Sequence, residues 1–208
     1  MYFLLPCRLT LAIAVLSGIE HTVITTFDAQ TGHQLYQSPL LSGSPLGLEI
    51  LSPDWPGDNT RDIVTLSSNG LVRRFHNQEL AWETTSSEYV PLYSNNRSIK
   101  GTPHFIATSL SKIFVVYLVP HGKAYSIAVA TLDAVTGSII DTNQLSASVS
   151  SIADVQVAGS HSSAPLVVWY EYPSSRSKGT LKAAILGSKS ITTLSTEVSP
   201  ETLFPNIA

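Results

Sequence analysis

Three carboxylates, Asp54, Asp58 and Asp62, recur at i, i+4 and i+8 in the run DWPGDNTRD. Clustered carboxylates are the ligands a hard cation such as calcium takes, but this spacing is not that of an EF-hand loop. Pro56-Gly57 marks a turn between two strands, so a solvated loop is the preferred reading. Trp55 beside them is either a cap on a sheet edge or a contact point. The six histidines, at 21, 33, 76, 104, 121 and 161, never fall within ten residues of one another. Scattered loop and surface positions account for them more simply than a metal site. Cys7 is the only cysteine, which excludes a disulfide within the chain and a cysteine-based zinc site. No phosphate loop, His-Glu-x-x-His, Cys-x-x-Cys or Gly-x-Ser-x-Gly pattern occurs. The residues thus give no catalytic group, no cofactor ligand and no metal ligand set, and the chain is expected not to be an enzyme.

The remaining singled-out residues point to structure or modification. Asn96-Arg97-Ser98 is the only N-glycosylation sequon, and it lies in the longest connection, residues 85–103, rich in Ser and Asn. Asn96 becomes an acceptor only if the chain enters the secretory pathway. Trp82 and Trp169 fall in strand-like runs, where packing within or between sheets is preferred over ligand stacking. Arg73-Arg74 is a cationic pair in another such run, and a solvated face is the preferred reading. With a formal net charge of -3 there is no basic field for nucleic acid or an anionic membrane surface.

The elements that would carry these residues repeat. FDAQTGHQLYQ (27–37) returns as LDAVTGSIIDT (132–142): an apolar strand end, Asp, two residues, Thr-Gly, then a second strand. Gly32 and Gly137 can take the positive φ that a short hairpin loop requires. Asp28 and Asp133 can accept bonds from the backbone N–H groups that follow them. Degenerate copies are RRFHNQELAWE (73–83), with Asn77 at the turn, and AAILGSKSITTL (183–194), with Gly187-Ser188 there. Taking Phe27, Phe75, Leu132 and Ile185 as equivalent gives spacings of 48, 57 and 53 residues. That period fits propeller blades of four strands each.

The composition agrees with an all-β chain: 43% of residues are hydrophobic and only 13% charged, with Ser and Thr supplying much of the polar surface. The runs parse as blade-like units at 9–44, 45–86, 103–148 and 149–196, within one partial domain over residues 1–208. Predicted strands in the second unit are 46–51, 63–66, 71–76 and 80–84; in the third, 104–109, 112–119, 126–133 and 138–143; in the fourth, 152–158, 166–170, 180–186 and 190–194. Ser67 to Gly70, His121-Gly122 and Ser174-Ser175 supply hairpin turns. The first unit is short by one strand. The expected fold is therefore an incomplete β-propeller of about three and a half antiparallel blades, a piece of a longer chain. Leu9–Leu16 reads either as the core of a signal peptide or as a strand pairing with Thr22–Asp28. The strand is preferred, because Arg8 follows an apolar start rather than opening it and Ser17-Gly18 falls where a turn is needed.

The Asp-x-x-Thr-Gly phrase looks like the blade motif of quinoprotein-like propellers. LVRRFHNQELAWE, SKIFVVYLV, VATLDAVTGSII, SSAPLVVWYE and TLKAAILGSKSITTL, in that order over roughly residues 9 to 196, resemble the luminal N-terminal region of the fungal subunit 1 family of the ER membrane protein complex. The resemblance implies a non-catalytic scaffold and interaction propeller on the luminal side of the ER membrane, without a cofactor. Its partners would be the other subunits of an insertase for tail-anchored and multi-pass proteins. Membrane association would come through those subunits or through a C-terminal part this chain lacks. The chain also departs from the family in lacking a clear signal peptide ahead of the first blade. Two other readings share the fold: a quinone-cofactor dehydrogenase, and a secreted propeller binding peptides or sugars. The first would need a calcium site and a repeated tryptophan docking motif, and neither is evident in the sequence.

Overall fold

The computed structural model describes residues 10–16, 21–28, 30–43, 45–50, 62–67, 70–76, 79–85, 106–109, 111–147, 149, 151–158, 164–173, 178–188 and 190–198. They form sixteen strands and no helix. The first sheet holds β1 (Thr10–Leu16), β2 (His21–Asp28), β3 (Gln34–Gln37) and the two-residue β4 (Leu41–Ser42), which pairs with β2. The second holds β5 (Pro45–Ile50), β6 (Ile63–Ser67), β7 (Leu71–His76) and β8 (Glu79–Thr85). The third holds β9 (Ile106–Ser109), β10 (Lys112–His121), β11 (Ala124–Asp133) and β12 (Ile139–Gln144). The fourth holds β13 (Ser151–Ala158), β14 (Leu166–Tyr172), β15 (Gly179–Ile185) and β16 (Ile191–Val198). Every ladder is antiparallel and, apart from that between β2 and β4, joins strands consecutive in the chain, which is what short hairpin loops between neighbouring strands allow.

The strands fall close to the runs read from the sequence, and Thr10–Leu16 pairs with His21–Asp28 from Leu16↔Thr22 to Thr10↔Asp28. One equivalence needs correction by a residue. Lys112 stands opposite Asp133, and Ala134 N–H donates to Ser111 O; Leu166 stands opposite Ile185, and Leu186 N–H donates to Pro165 O. Ile185 is thus the counterpart of Asp133, and Ala184 that of Leu132. Because side chains alternate across a strand, the slip reverses the facing: Ala184 is buried and Ile185 is 50% exposed.

In the first three sheets the outer strand carries one extra residue at the same place. The ladder skips Leu35 opposite Thr26/Phe27, Ala81 opposite Arg74/Phe75 and Ile140 opposite Thr131/Leu132. These are β-bulges, and their shared position supports the repeat independently of the turn residues. In two sheets a serine hydroxyl accepts from the central strand, at positions that are not equivalent: Ile24 N–H donates to Ser38 Oγ (3.0 Å), and Ile127 N–H donates to Ser146 Oγ (2.7 Å).

The core lies between sheets rather than within one. Val64, Leu66 and Val72 of the second sheet, Phe114 and Ile127 of the third, and Ile152, Val167 and Trp169 of the fourth belong to one buried cluster. Ile24 of the first sheet meets Ile63 and Phe75 of the second in another. Alternation explains the split: odd-numbered positions of β7 face the first sheet and even-numbered ones the third. Near the first strands, β5 lies against both β1 and β9, and β13 against β9.

Candidate functional site

The Asp-x-x-Thr-Gly turns are built as their residue types require. Asp28 Oδ1 accepts from Gln30 N–H (2.9 Å) and Thr31 N–H (3.0 Å), and Gly32 N–H closes onto Asp28 O (2.8 Å). Asp133 Oδ1 accepts from Val135 N–H (2.9 Å), Thr136 N–H (2.8 Å) and Thr136 Oγ1 (3.0 Å), with Gly137 N–H on Asp133 O (2.8 Å). Gly32 and Gly137 have φ of 70° and 73°. The Thr136 N–H above all holds the Asp133 carboxyl below its ordinary value of 3.8; the Thr136 hydroxyl, the Val135 N–H and the nearby Arg74 guanidinium add to this, and partial burial opposes it.

The two turns differ in what surrounds them. A methyl group added at Gly32 would meet nothing within 4 Å, whereas one at Gly137 would lie 2.7 Å from Trp82 Cδ2 and from Thr84 Oγ1. The third sheet's turn is seated on β8. Trp82 Nε1 donates to Ala134 O (3.0 Å), and Thr84 Oγ1 donates to Gly137 O (2.6 Å). Trp82 therefore packs between sheets, with its indole N–H satisfied by a turn carbonyl.

Arg73 and Arg74 do not form a solvated face: they are 2% and 7% exposed. A central strand has both faces covered, so neighbouring side chains point into two different junctions. Arg73 Nη1 donates to Ser42 O (3.0 Å) and Ser67 Oγ (2.9 Å), Nη2 to Ser42 Oγ (2.8 Å), and Nε to Glu83 Oε2 (2.5 Å). Arg74 Nε donates to Asp62 Oδ2 (2.6 Å), and its Nη1 to Ala134 O (2.9 Å). Asp62 is likewise not a solvated loop residue. It is buried, and its other oxygen lies 2.9 Å from His76 Nδ1. A buried carboxylate is tolerable because Arg74 pairs with it.

The other residues singled out by sequence are spread through the fold. Trp169 is fully buried and donates from Nε1 to Glu171 Oε1 (2.8 Å), while Glu171 Oε2 pairs with Lys182 Nζ (2.6 Å). His21 and His33 are exposed, and His121 Nε2 lies 3.0 Å from Ser126 Oγ. Among the described residues no three His, Cys, Asp or Glu side chains group as metal ligands, and no helix is long and apolar enough to cross a membrane. Cys7, Asp54, Trp55, Asp58, Asn77, Asn96, His104, His161 and Ser174-Ser175 lie outside the described residues.

The partners Ser42, Asp62, Glu83 and the Ala134 carbonyl were not foreseen as a set. The available signal was two arginines in a strand flanked in sequence by one acid on each side.

No family model and no curated protein matches this chain. Among solved structures, it is similar to a eukaryotic initiation factor (TM-score 0.43, 12% identity, 90% of this chain and 44% of that one). It is also similar to Saccharomyces cerevisiae Sqt1 (TM-score 0.39, 12% identity, 91% of this chain and 58% of that one). The chain thus spans about half the length of these structures, and at TM-scores below 0.5 they assign neither fold nor function to it.

Proposed function

We propose that this chain is a non-catalytic interaction scaffold built as part of a β-propeller. The observation that carries the reading is the use made of Arg73 and Arg74. Two of the chain's few basic groups lie buried in junctions between sheets, where they hold the second sheet to the first and to the third. The succession of β1, β5, β9 and β13 against one another supports sheets set around a shared axis, as propeller blades are. Such a design presents loops and outer strands to partners while the junctions keep them in register.

The assembly we assign is the ER membrane protein complex, on the luminal side, where the chain would support insertion of tail-anchored and multi-pass proteins. The support here is the ordered sequence resemblance to the fungal subunit 1 family. The test is affinity purification of the endogenous tagged gene product from mild-detergent ER membranes. Co-purification of the other subunits of that complex is the expected result. A product recovered alone, or with an unrelated luminal set, would remove this assignment and leave the scaffold reading to stand on the fold.

A further inference from the structure

The junction between the second and third sheets has a counterpart between the third and fourth, and the two are filled differently. By ladder register Asp62 corresponds to Lys112, Val64 to Phe114, Arg74 to Thr131, and Trp82 to Asp141. In the first junction Arg74 and Trp82 both donate to Ala134 O and fill the space beneath the turn. Among the described residues no such pair of side-chain donors reaches the carbonyl of Leu186, the counterpart of Ala134, and the Asp141 carboxylate accepts from Thr142 N–H and Asn143 Nδ2 within its own strand. An open cleft of about 340 Å³ lies beside this turn. Its described lining includes Lys112 and Phe114 on one side and Ile185, Leu186, Gly187 and Ser188 on the other.

The charge has also reversed. Where Asp62 is buried against Arg74, Lys112 is exposed and makes no ion pair among the described residues. Asp133, opposite it in the ladder, directs its Oδ1 to its own turn. Phe114 is buried, and Ile185 stands half exposed at the rim. An ammonium beside an aliphatic and aromatic wall complements a carboxylate carried next to an apolar side chain.

We infer that this cleft docks a partner-protein segment presenting a carboxylate to Lys112 and an aliphatic side chain to Phe114 and Ile185. This deepens the scaffold reading and rests on it only in making the occupant a protein.

The test is a titration of the ¹⁵N-labelled full chain with an acetylated octapeptide alternating leucine and glutamate, and with its glutamine counterpart. The amides of Lys112, Phe114, Gly187 and Ser188 should shift with the glutamate peptide and less with the glutamine one. Lys112→Glu should weaken binding by about fivefold or more, and Ile185→Ser should weaken it too. Both side chains are exposed, so an unchanged spectrum without peptide checks the fold; if Ile185→Ser disturbs it, Lys112→Glu alone decides. No shift at these amides at millimolar peptide, or an affinity indifferent to Lys112→Glu, overturns the inference. Concentration-dependent shifts at the same amides without peptide would give the cleft to a second copy of the chain, and overturn it as well. Purification of the complex tests the assembly and this titration tests the cleft, so either can fail alone.

Discussion

Arg73 and Arg74 are adjacent in sequence yet serve opposite neighbours: one binds Ser42 of the first sheet, the other the Ala134 carbonyl of the third. The strand's alternation produces this division without any bend in the backbone. The second sheet is thus fastened on both sides from a single dipeptide.

Breaking the buried pair should be costly. Arg74→Met leaves the Asp62 carboxylate buried without its guanidinium, and we expect a loss of about 3–5 kcal/mol in urea unfolding. The double variant Arg74→Met/Asp62→Leu should recover part of that loss, because no charge is then left unpaired. A double variant as unstable as the single one would show that packing, not charge, dominates the site.

The two turn glycines should respond unequally to alanine. Gly32→Ala meets only the backbone cost of a positive φ, about 1 kcal/mol. Gly137→Ala adds a clash with Trp82 and Thr84 and should cost clearly more, about 2–4 kcal/mol. Equal shifts in the unfolding midpoint would mean that the seating of the turn on β8 adds no constraint.

Trp82→Phe keeps most of the ring but removes the donor to Ala134 O. The expected loss is about 1 kcal/mol, and it should be larger in the Arg74→Met background, where the indole is the remaining side-chain donor to the Ala134 carbonyl. A double-mutant cycle measures the coupling, and strictly additive losses would contradict a shared carbonyl.

Acid should loosen the third sheet's turn. The Asp133 carboxyl is held below its ordinary value, so its contribution is fully present above about pH 4. It is lost as pH falls through the lowered folded value. Comparing urea midpoints at pH 5 and pH 3, Asp133→Asn should fall less than the parent chain over this interval. An identical fall in both would exclude Asp133 from the acid response.

The strands and the turns were legible because each depends on local pattern: period-two apolar runs, and Asp and Gly at fixed positions in a short loop. The pairing of Thr10–Leu16 with His21–Asp28 was legible for the same reason. Arg73, Arg74 and Asp62 were misread because charge predicts exposure only when no partner is near. Their partners Ser42 and Ala134 stand 31 and 60 residues away. Ile185 was misplaced by one residue because the fourth copy lacks the Asp that fixes the register elsewhere. The cleft at Lys112 was not legible because its walls come from the start of β10 and the turn after β15, which only the fold brings together.

The bulges at Leu35, Ala81 and Ile140 have a consequence for how the molecule behaves in company. Among the described residues each lies in the outermost strand of its sheet, an edge that would otherwise offer a straight template for another chain. An extra residue at the same point tilts these margins out of plane, so a second molecule cannot zip along them in continuous register. A crowded solution of this protein is thereby guarded against edge-to-edge fibre growth at three of its rims, by geometry alone and without a repelling charge at any of the three extra residues.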